Sequence, residues 1–401
     1  MPGNVITLLG GWFPEVGRPL VSAGPIEPPS RFKQSSDLGA AAWASGGARR
    51  WEGIAIVEEQ NRRWLLAKRP DGTVSDANFK WSVSPIPKPS EGQALVRNLW
   101  LSPYPTQLLI MMTPEESGGI PIGAPMTGFN ASQVLESRHP KFHRGDLLHG
   151  IAGWEDYSVI DGTGFIDTQV VPPGVAPNLA VGTLGITGMV AYFGVMEVAE
   201  PEPGETFVIS AAAGGVGSIA AQIAKIRGLR VIGIAGGKEK CAWLTGEAGL
   251  DAAIDYRVED VARRLDALCP DGIDIYFDNV GGPILDEALA RLRRNGRIVL
   301  CGATSRYAQD PSPPGPSNYL QLVMVDGKMV GLLAKNYFDR YPEAIATMRG
   351  WLASGRLKSK EDVTIGLEHA PESLTRIFHR ANVGKQLLKI ADPPLPLPAS
   401  S

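Results

Sequence analysis

The stretch TFVISAAAGGVGSIAAQIAKIRGLRVIGIAGGKEK, Thr206 to Lys240, decides the fold. The apolar, β-branched run over 206–210 reads as a strand, AAAGGVG as a turn, 217–226 as a helix stopped by Gly228, and 230–235 as a second strand. That is a βαβ unit. Within its turn, Ala212, Gly214 and Gly217 fill the three positions of a G-x-G-x-x-G fingerprint, with alanine in the first. Small residues there let the backbone turn tightly and approach a pyrophosphate, and the third glycine lets the helix sit close to the strand. The helix N-terminus adds unpaired N–H groups and a partial positive charge.

The end of the second strand bears on which dinucleotide would be held. NAD-binding versions place a carboxylate about 20 residues beyond the fingerprint, where it bonds the ribose 2′-hydroxyl. Here Gly236-Gly237 stands at that place, followed by Lys238 and Lys240. Two ammonium groups and no carboxylate favour a 2′-phosphate, hence NADP(H) over NAD(H). Taken alone, the same lysines also suit a solvated helix start, and Glu239 stands between them.

Strand and helix continue to alternate toward the C-terminus. Helices are expected over 238–247, 258–268 and 283–292, and strands over 253–255, 273–278 and 297–301, with turns at Pro270-Asp271-Gly272 and Asn295-Gly296. Such alternation builds a doubly wound parallel sheet, and ligands bind outside the carboxyl ends of its strands. Asn279, Cys301, Gly302 and the loop from Ala303 to Tyr307 stand at such ends. Farther on, 319–325 reads as a short helix, 329–334 as a strand, 341–354 and 371–380 as helices, and 386–390 as a strand after an Asn382-Val383-Gly384 turn. This tail is expected to rejoin the first domain.

Upstream the pattern differs. Strand candidates at 62–69, 79–84 and 94–101, and the short alternating runs between Gly128 and Asp161, describe a β-rich domain. Residues 168–196 carry no charge, but Pro172, Pro173, Pro177 and several glycines interrupt them, so they read as a buried domain junction and not as a membrane helix. Residues 1–57 are Pro/Gly-rich without a sustained period and read as a poorly ordered extension, to which no function is assigned. No basic region precedes the apolar residues 5–9, which argues against a secretory signal.

A chain of 401 residues has room for two cores, and 44% hydrophobic with 20% charged residues suits an enzyme in water. The net charge of −3, from 39 basic and 42 acidic residues, gives no basic footprint for nucleic acid. Cys241, Cys269 and Cys301 are too scattered for a disulfide framework or a four-cysteine zinc site, and a reducing cytoplasm is expected. His139, His143 and His149 lack a companion cysteine and span turn residues, so no metal site is expected from them.

Several segments together resemble the zinc-independent medium-chain dehydrogenase/reductase superfamily, in its branch of alkenal/one oxidoreductases, double-bond reductases, curcumin reductases and prostaglandin reductases. They are WLLAKRPDG, PIPKPSEGQALVRNLWLS, HPKFHRGD, GWEDYSV, LGITGMVAYFGV, AAAGGVG, DYR, YFDNVGG, GRIVLCGATS, PPGP and NVGK, in family order between Asn61 and Ile390. The resemblance implies an α/β fold: a Rossmann doubly wound parallel sheet over 181–350, and a GroES-like β-barrel domain over 58–180 completed by 351–401. It implies a homodimer, and NADPH-dependent reduction of a C=C bond conjugated to a carbonyl. Carried over by position, Gly214, Gly215, Val216 and Gly217 would hold the pyrophosphate, with Lys240, in preference to Lys238, and Tyr256 at the 2′-phosphate. Asn279, Cys301, Gly302, Ala303, Thr304, Ser305, Arg306, Tyr307, Leu332, Leu333, Ala334 and Asn382 match cofactor-contacting positions, and Tyr307 also lies near the substrate. The sequence departs from the family at Pro103-Tyr104-Pro105-Thr106-Gln107-Leu108, where the family usually reads Leu-Asp-Pro-Tyr-Met-Arg. Thr106 replaces the usual pocket tyrosine and Leu108 the arginine, leaving Tyr104 and Thr106 as pocket candidates.

The chemistry expected is hydride delivery to the β-carbon of an enal or enone. Without a metal, hydrogen-bond donors must stabilise the enolate oxygen, and one well-placed donor contributes about 3 kcal/mol. The ribose 2′-hydroxyl, backbone N–H groups or Tyr307 can serve, and the α-carbon proton comes from Tyr307 or from water. Two alternatives stay open at this stage. One is quinone reduction on the same architecture; the other is NADPH binding without catalysis, motivated by the altered 103–108 stretch.

Overall fold

The computed structural model describes residues 60–164, 166–307 and 315–399. The expected extension over 1–57, and part of the proline-rich loop after Tyr307, lie outside the described residues.

A hairpin comes first, β1 (Gln60–Leu66) against β2 (Phe79–Pro85). Trp64 faces Trp81 directly across it, with ring centroids 5.0 Å apart, the kind of cross-strand aromatic pair that fixes register. Phe79 stacks on Trp154 at 5.8 Å and so holds the hairpin against the next sheet. That sheet contains β3 (Ala94–Ser102), β4 (Thr127–Ser137), β5 (Leu147–Gly153), β6 (Tyr157–Ile160) and β7 (Gln169–Val170). Its strands pair antiparallel in sequence, except that β6 joins β3.

The junction over 168–196 contains two helices, Pro177–Val181 and Ile186–Phe193, the second running into a π-helical turn at Gly194–Val198. Its uncharged character follows from its place. Met189, Ala191, Tyr192 and Phe193 are buried in a core that joins Leu99 and Phe129 of the first sheet to Phe207 and Phe277 of the second.

The second sheet is wholly parallel: β8 (Thr206–Ser210), β9 (Arg230–Ala235), β10 (Ala252–Asp255), β11 (Ile273–Asp278), β12 (Leu292–Leu300) and β13 (Lys328–Gly331). Their spatial order is β10-β9-β8-β11-β12-β13, the dinucleotide-binding order with its switch point between β8 and β11. Helices Gly215–Ile226, Lys238–Gly246, Val261–Leu268 and Pro283–Ala290 connect the strands. Because they cover both faces, β8, β9 and β11 are buried almost throughout, as their predominantly apolar sequences require.

Helix Tyr341–Ala353 leads into β14 (Glu361–Ile365), helix Ala370–Phe378 and β15 (Lys385–Lys389). β15 pairs parallel with β14 and antiparallel with β3, so the chain's last strand lies in the sheet of its first half.

Three sequence expectations change in detail. β12 begins at Leu292, not 297, because the Asn295-Gly296 turn is a bulge within it, with Asn295 at φ 61°. β13 stops at Gly331, leaving Leu332 and Leu333 in a loop and Ala334 at the start of a 3₁₀ turn. β14 has no counterpart in the sequence reading: its EDVTI segment is polar at one end and lies on the sheet edge.

Candidate functional site

The glycine turn joins β8 to helix Gly215–Ile226. Its left-handed residue is Ala211, at φ 47°, not Ala212 of the fingerprint; Ala212 is buried beneath the turn. Gly214 is the N-cap. A Cβ on Gly217 would lie 2.2 Å from Ala211 O, so this position admits only glycine without a backbone shift. The Gly384 N–H donates to Ala213 O at 2.8 Å, tying the C-terminal segment to the turn.

At the neighbouring strand end, Asp278 is almost fully buried. It accepts from Ser210 Oγ at 3.0 Å, Tyr276 Oη at 3.1 Å and the N–H groups of Val280 and Gly281. Burial pushes its carboxyl pKa up, against the pull of those donors. Asn279 donates its side-chain amide to Ser210 O at 2.8 Å, which sets the β11 turn against β8.

The 301–307 loop hangs from this turn. Cys301 and Gly302 donate N–H bonds to Asp278 O, and Thr304 donates to Asn279 O. Ser305 donates through both its N–H and its hydroxyl to Val280 O, and the Arg306 N–H closes onto Ala303 O. Tyr307 curls back so that its Oη accepts the Ala303 N–H at 3.2 Å. Burial raises the phenol pKa of Tyr307 and pushes the Cys301 thiol up to about 12.

A cavity of about 1100 Å³ lies between the two sheets. From the nucleotide side it is lined by Val216, Asn279, Cys301, Gly302, Thr304, Tyr307, Leu332, Leu333 and Ala334. From the β-rich side Tyr104, Thr106, Ser102 and Phe129 face it. Burial raises the Tyr104 phenol pKa, and Ser102 Oγ is buried without a hydrogen-bond partner among the described residues. Leu108, where the family arginine would stand, is buried in the β-rich core, and Gln107 beside it donates to Thr127 O.

A second cavity, of about 350 Å³, opens beyond β9. Gly236, Lys238, Glu239, Lys240, Arg257, His379 and Arg380 line it. Lys240 Nζ donates to Arg380 O at 2.8 Å, and Arg380 Nη1 donates to Tyr256 Oη at 2.7 Å. Burial, then the charge of Arg257, pulls the Lys240 ammonium pKa down. A Cβ on Gly236 would strike the Tyr256 ring at 2.8 Å, so glycine there makes room for the tyrosine. Sequence reasoning missed Arg257, His379 and Arg380, although Arg257 follows Tyr256 directly at the end of β10.

Other candidates fall outside both cavities. Gly214, Gly215 and Gly217 form the turn between them, and Ala303, Ser305 and Arg306 shape the loop under Tyr307. The Asn382 side-chain amide donates to Gly384 O at 2.7 Å. The three histidines do not meet. His139 stacks on Phe142, His143 is exposed, and half-buried His149 accepts the Ile186 N–H, its pKa lowered to about 4 by desolvation. No metal-holding group of three or more His, Cys, Asp or Glu occurs among the described residues.

These residues fit a phosphorylated dinucleotide. The turn admits no Cβ at Gly217, and the second cavity is lined by Lys238, Lys240, Arg257 and Arg380 with one carboxylate, Glu239.

Two family models match the chain: the N-terminal domain of oxidoreductase over residues 62–168, and zinc-binding dehydrogenase over 215–350. The NADPH-dependent curcumin reductase of Escherichia coli (strain K12) is 37% identical over 340 residues, covering 83% of this chain and 98% of that protein. The 2-alkenal reductase (NADP(+)-dependent) of Nicotiana tabacum is 37% identical over 327 residues, covering 81% and 94%. The crystal structure of CurA from Vibrio vulnificus in complex with NADPH superposes with a TM-score of 0.77 at 36% identity, covering 83% of this chain and all of that one. With this identity along both sheets and the glycine turn between them, the chain belongs to the medium-chain dehydrogenase/reductase family, in the group that holds the curcumin and alkenal reductases.

Proposed function

We propose that this protein is an NADPH-dependent reductase of the C=C bond in α,β-unsaturated aldehydes or ketones. The observation that carries this is the shared cavity, where strand ends of the nucleotide sheet face the predominantly apolar wall of the β-rich half. The named activities of the curcumin and alkenal reductases support the same reading.

NADPH bound along the glycine turn would supply the hydride. Tyr307 keeps its proton at neutral pH, because burial raises its pKa, and its oxygen is already oriented by the Ala303 N–H. It can therefore donate to the substrate carbonyl oxygen as charge builds there, and the α-carbon proton comes from Tyr307 or water. Tyr104 and Thr106 line the opposite wall. Cys301 also lines the cavity; held as the thiol, it is a poor nucleophile toward an electrophilic alkene, which suits a site that must reduce such molecules without being alkylated.

We further propose residues 181–350 as the nucleotide domain, with 58–180 and 351–401 forming the substrate domain. The position of β15 beside β3 supports this. A homodimer is supported by the outer strand β13 and by exposed Tyr319, Leu320, Val323, Met324 and Val330 on or just before it; sedimentation velocity tests it. A cytoplasmic location is supported by three unpaired cysteines, and no described helix is long and apolar enough to cross a membrane; cell fractionation tests it.

The activity is tested by NADPH oxidation with a medium-chain alkenal, a benzylidene ketone and a quinone in parallel, with NADH and added chelator as controls. Turnover of the alkenal or ketone that prefers NADPH and ignores chelator is expected. Faster turnover of the quinone, or cofactor binding with no turnover, would overturn the reading.

A further inference from the structure

We propose that Arg380 is a specificity-determining residue for the 2′-phosphate of NADP(H), delivered to the nucleotide sheet by the C-terminal segment. The role rests on the cofactor assigned under the proposed function.

Helix Ala370–Phe378 ends in a paired stop: the Arg380 N–H donates to Ile377 O and the Ala381 N–H to Arg376 O, each at 3.0 Å. This geometry needs a left-handed residue, and Arg380 supplies it at φ 56°. Glycine is the residue such a stop favours, because it carries no Cβ penalty. An arginine there is held by what its side chain does.

That side chain turns into the cavity beyond β9. Its Nη1 donates to Tyr256 Oη at 2.7 Å and its guanidinium lies 5.5 Å from the Tyr256 ring centroid. The Arg380 carbonyl accepts from Lys240 Nζ, so one residue orients both Lys240 and Tyr256. Lys238, Lys240, Arg257 and His379 share the lining with a single carboxylate, Glu239, and Arg380 has no ion pair among the described residues. Cations that outnumber the carboxylates near them, Glu239 in the lining and Asp362 acting on Lys240 from outside it, select a multiply charged anion, and a guanidinium fork matches phosphate oxygens in pairs. Within a dinucleotide site, only a 2′-phosphate places such an anion just beyond β9.

The test is calorimetric titration of the full chain with NADPH, NADH, adenosine 2′-phosphate and inorganic phosphate, for the wild type, Arg380→Gly and Arg380→Lys. Glycine suits the backbone, so folding is preserved and the melting temperature holds or rises. Arg380→Gly is expected to weaken NADPH and adenosine 2′-phosphate by about 10-fold to 100-fold while NADH changes less than about twofold. Arg380→Lys recovers part of the loss. An unchanged NADPH-to-NADH ratio in Arg380→Gly, equal weakening of both, or inorganic phosphate binding as tightly as adenosine 2′-phosphate would overturn the role. A wild type without preference for NADPH would instead remove the cofactor reading itself.

Discussion

Replacing Lys385 with methionine is expected to stabilise the cofactor-free protein near neutral pH and to flatten the alkaline rise of its stability. Lys385 is 6% exposed, and its Nζ donates one hydrogen bond, to Pro103 O at 2.7 Å. No ion pair involves it among the described residues, and burial lowers its pKa from 10.5 to about 7. Between about pH 7 and about pH 10.5 the unfolded chain therefore holds a proton that the folded chain lacks, so wild-type stability climbs with pH through that window. The shift of roughly 3.5 units corresponds to a penalty of ~5 kcal/mol, present below the window and gone above it. Methionine removes the penalty but leaves Pro103 O without its donor, at a cost of ~1–3 kcal/mol. The variant should thus gain ~2–4 kcal/mol near pH 7 and be no more stable than the wild type near pH 10. Urea unfolding of both proteins across this range isolates Lys385, because every other titrating group is common to them. A stability difference that stays constant with pH, or a variant weaker at pH 7, would refute the reasoning.

Tyr307→Phe removes the hydroxyl that accepts the Ala303 N–H and lines the cavity; a fall in kcat of about 10-fold to 100-fold is expected with the NADPH KM nearly unchanged, and full turnover would end its donor role. Gly217→Ala drives a Cβ toward Ala211 O, so fluorescence titration should find NADPH binding weakened at least about tenfold; wild-type affinity would contradict the tight-turn requirement. Asp260→Ala loses the cap on helix Val261–Leu268, which accepts the Arg263 N–H at 3.1 Å. Urea unfolding should show a loss of ~1 kcal/mol with NADPH affinity unaltered.

The nucleotide sheet was legible because its strands are buried on both faces. A segment such as IDIYFD or RVIGIA is predominantly apolar and bounded by glycine turns, so local pattern and global position agree. The strand-end rule then picked Asn279, Cys301, Gly302, Thr304 and Tyr307, all of which line the large cavity. Less was legible where structure depends on distant partners. QLLIMM at Gln107–Met112 has neither a helical nor an alternating pattern, and becomes a helix whose Leu108 and Met111 fill the β-rich core. β14 is an edge strand whose partner, β15, lies 20 residues downstream; its alternation spans only Asp362 to Ile365, with the apolar Val363 and Ile365 on the exposed face, too short to mark a strand by itself. Arg380 was hidden for a related reason: its importance comes from a left-handed backbone and from Tyr256, 124 positions away in sequence.

The C-terminal segment from Arg380 to Lys385 makes the two halves mechanically interdependent. Arg380 O receives Lys240 Nζ beyond β9, the Gly384 N–H reaches Ala213 O in the glycine turn, and Lys385 Nζ holds Pro103 O between Ser102 and Tyr104 on the substrate side. The same few residues thus touch the second cavity, the turn between the cavities and the wall of the first. Asn382, in their midst, bonds Gly384 O and so fixes the curvature that lets its neighbours reach all three places. A swing of the β-rich half against the nucleotide sheet must break these bonds or carry the glycine turn with it. Filling the cofactor site would therefore constrain the position of Tyr104, and a buried lysine, costly on its own, is retained where it links the floor of one site to the wall of the other.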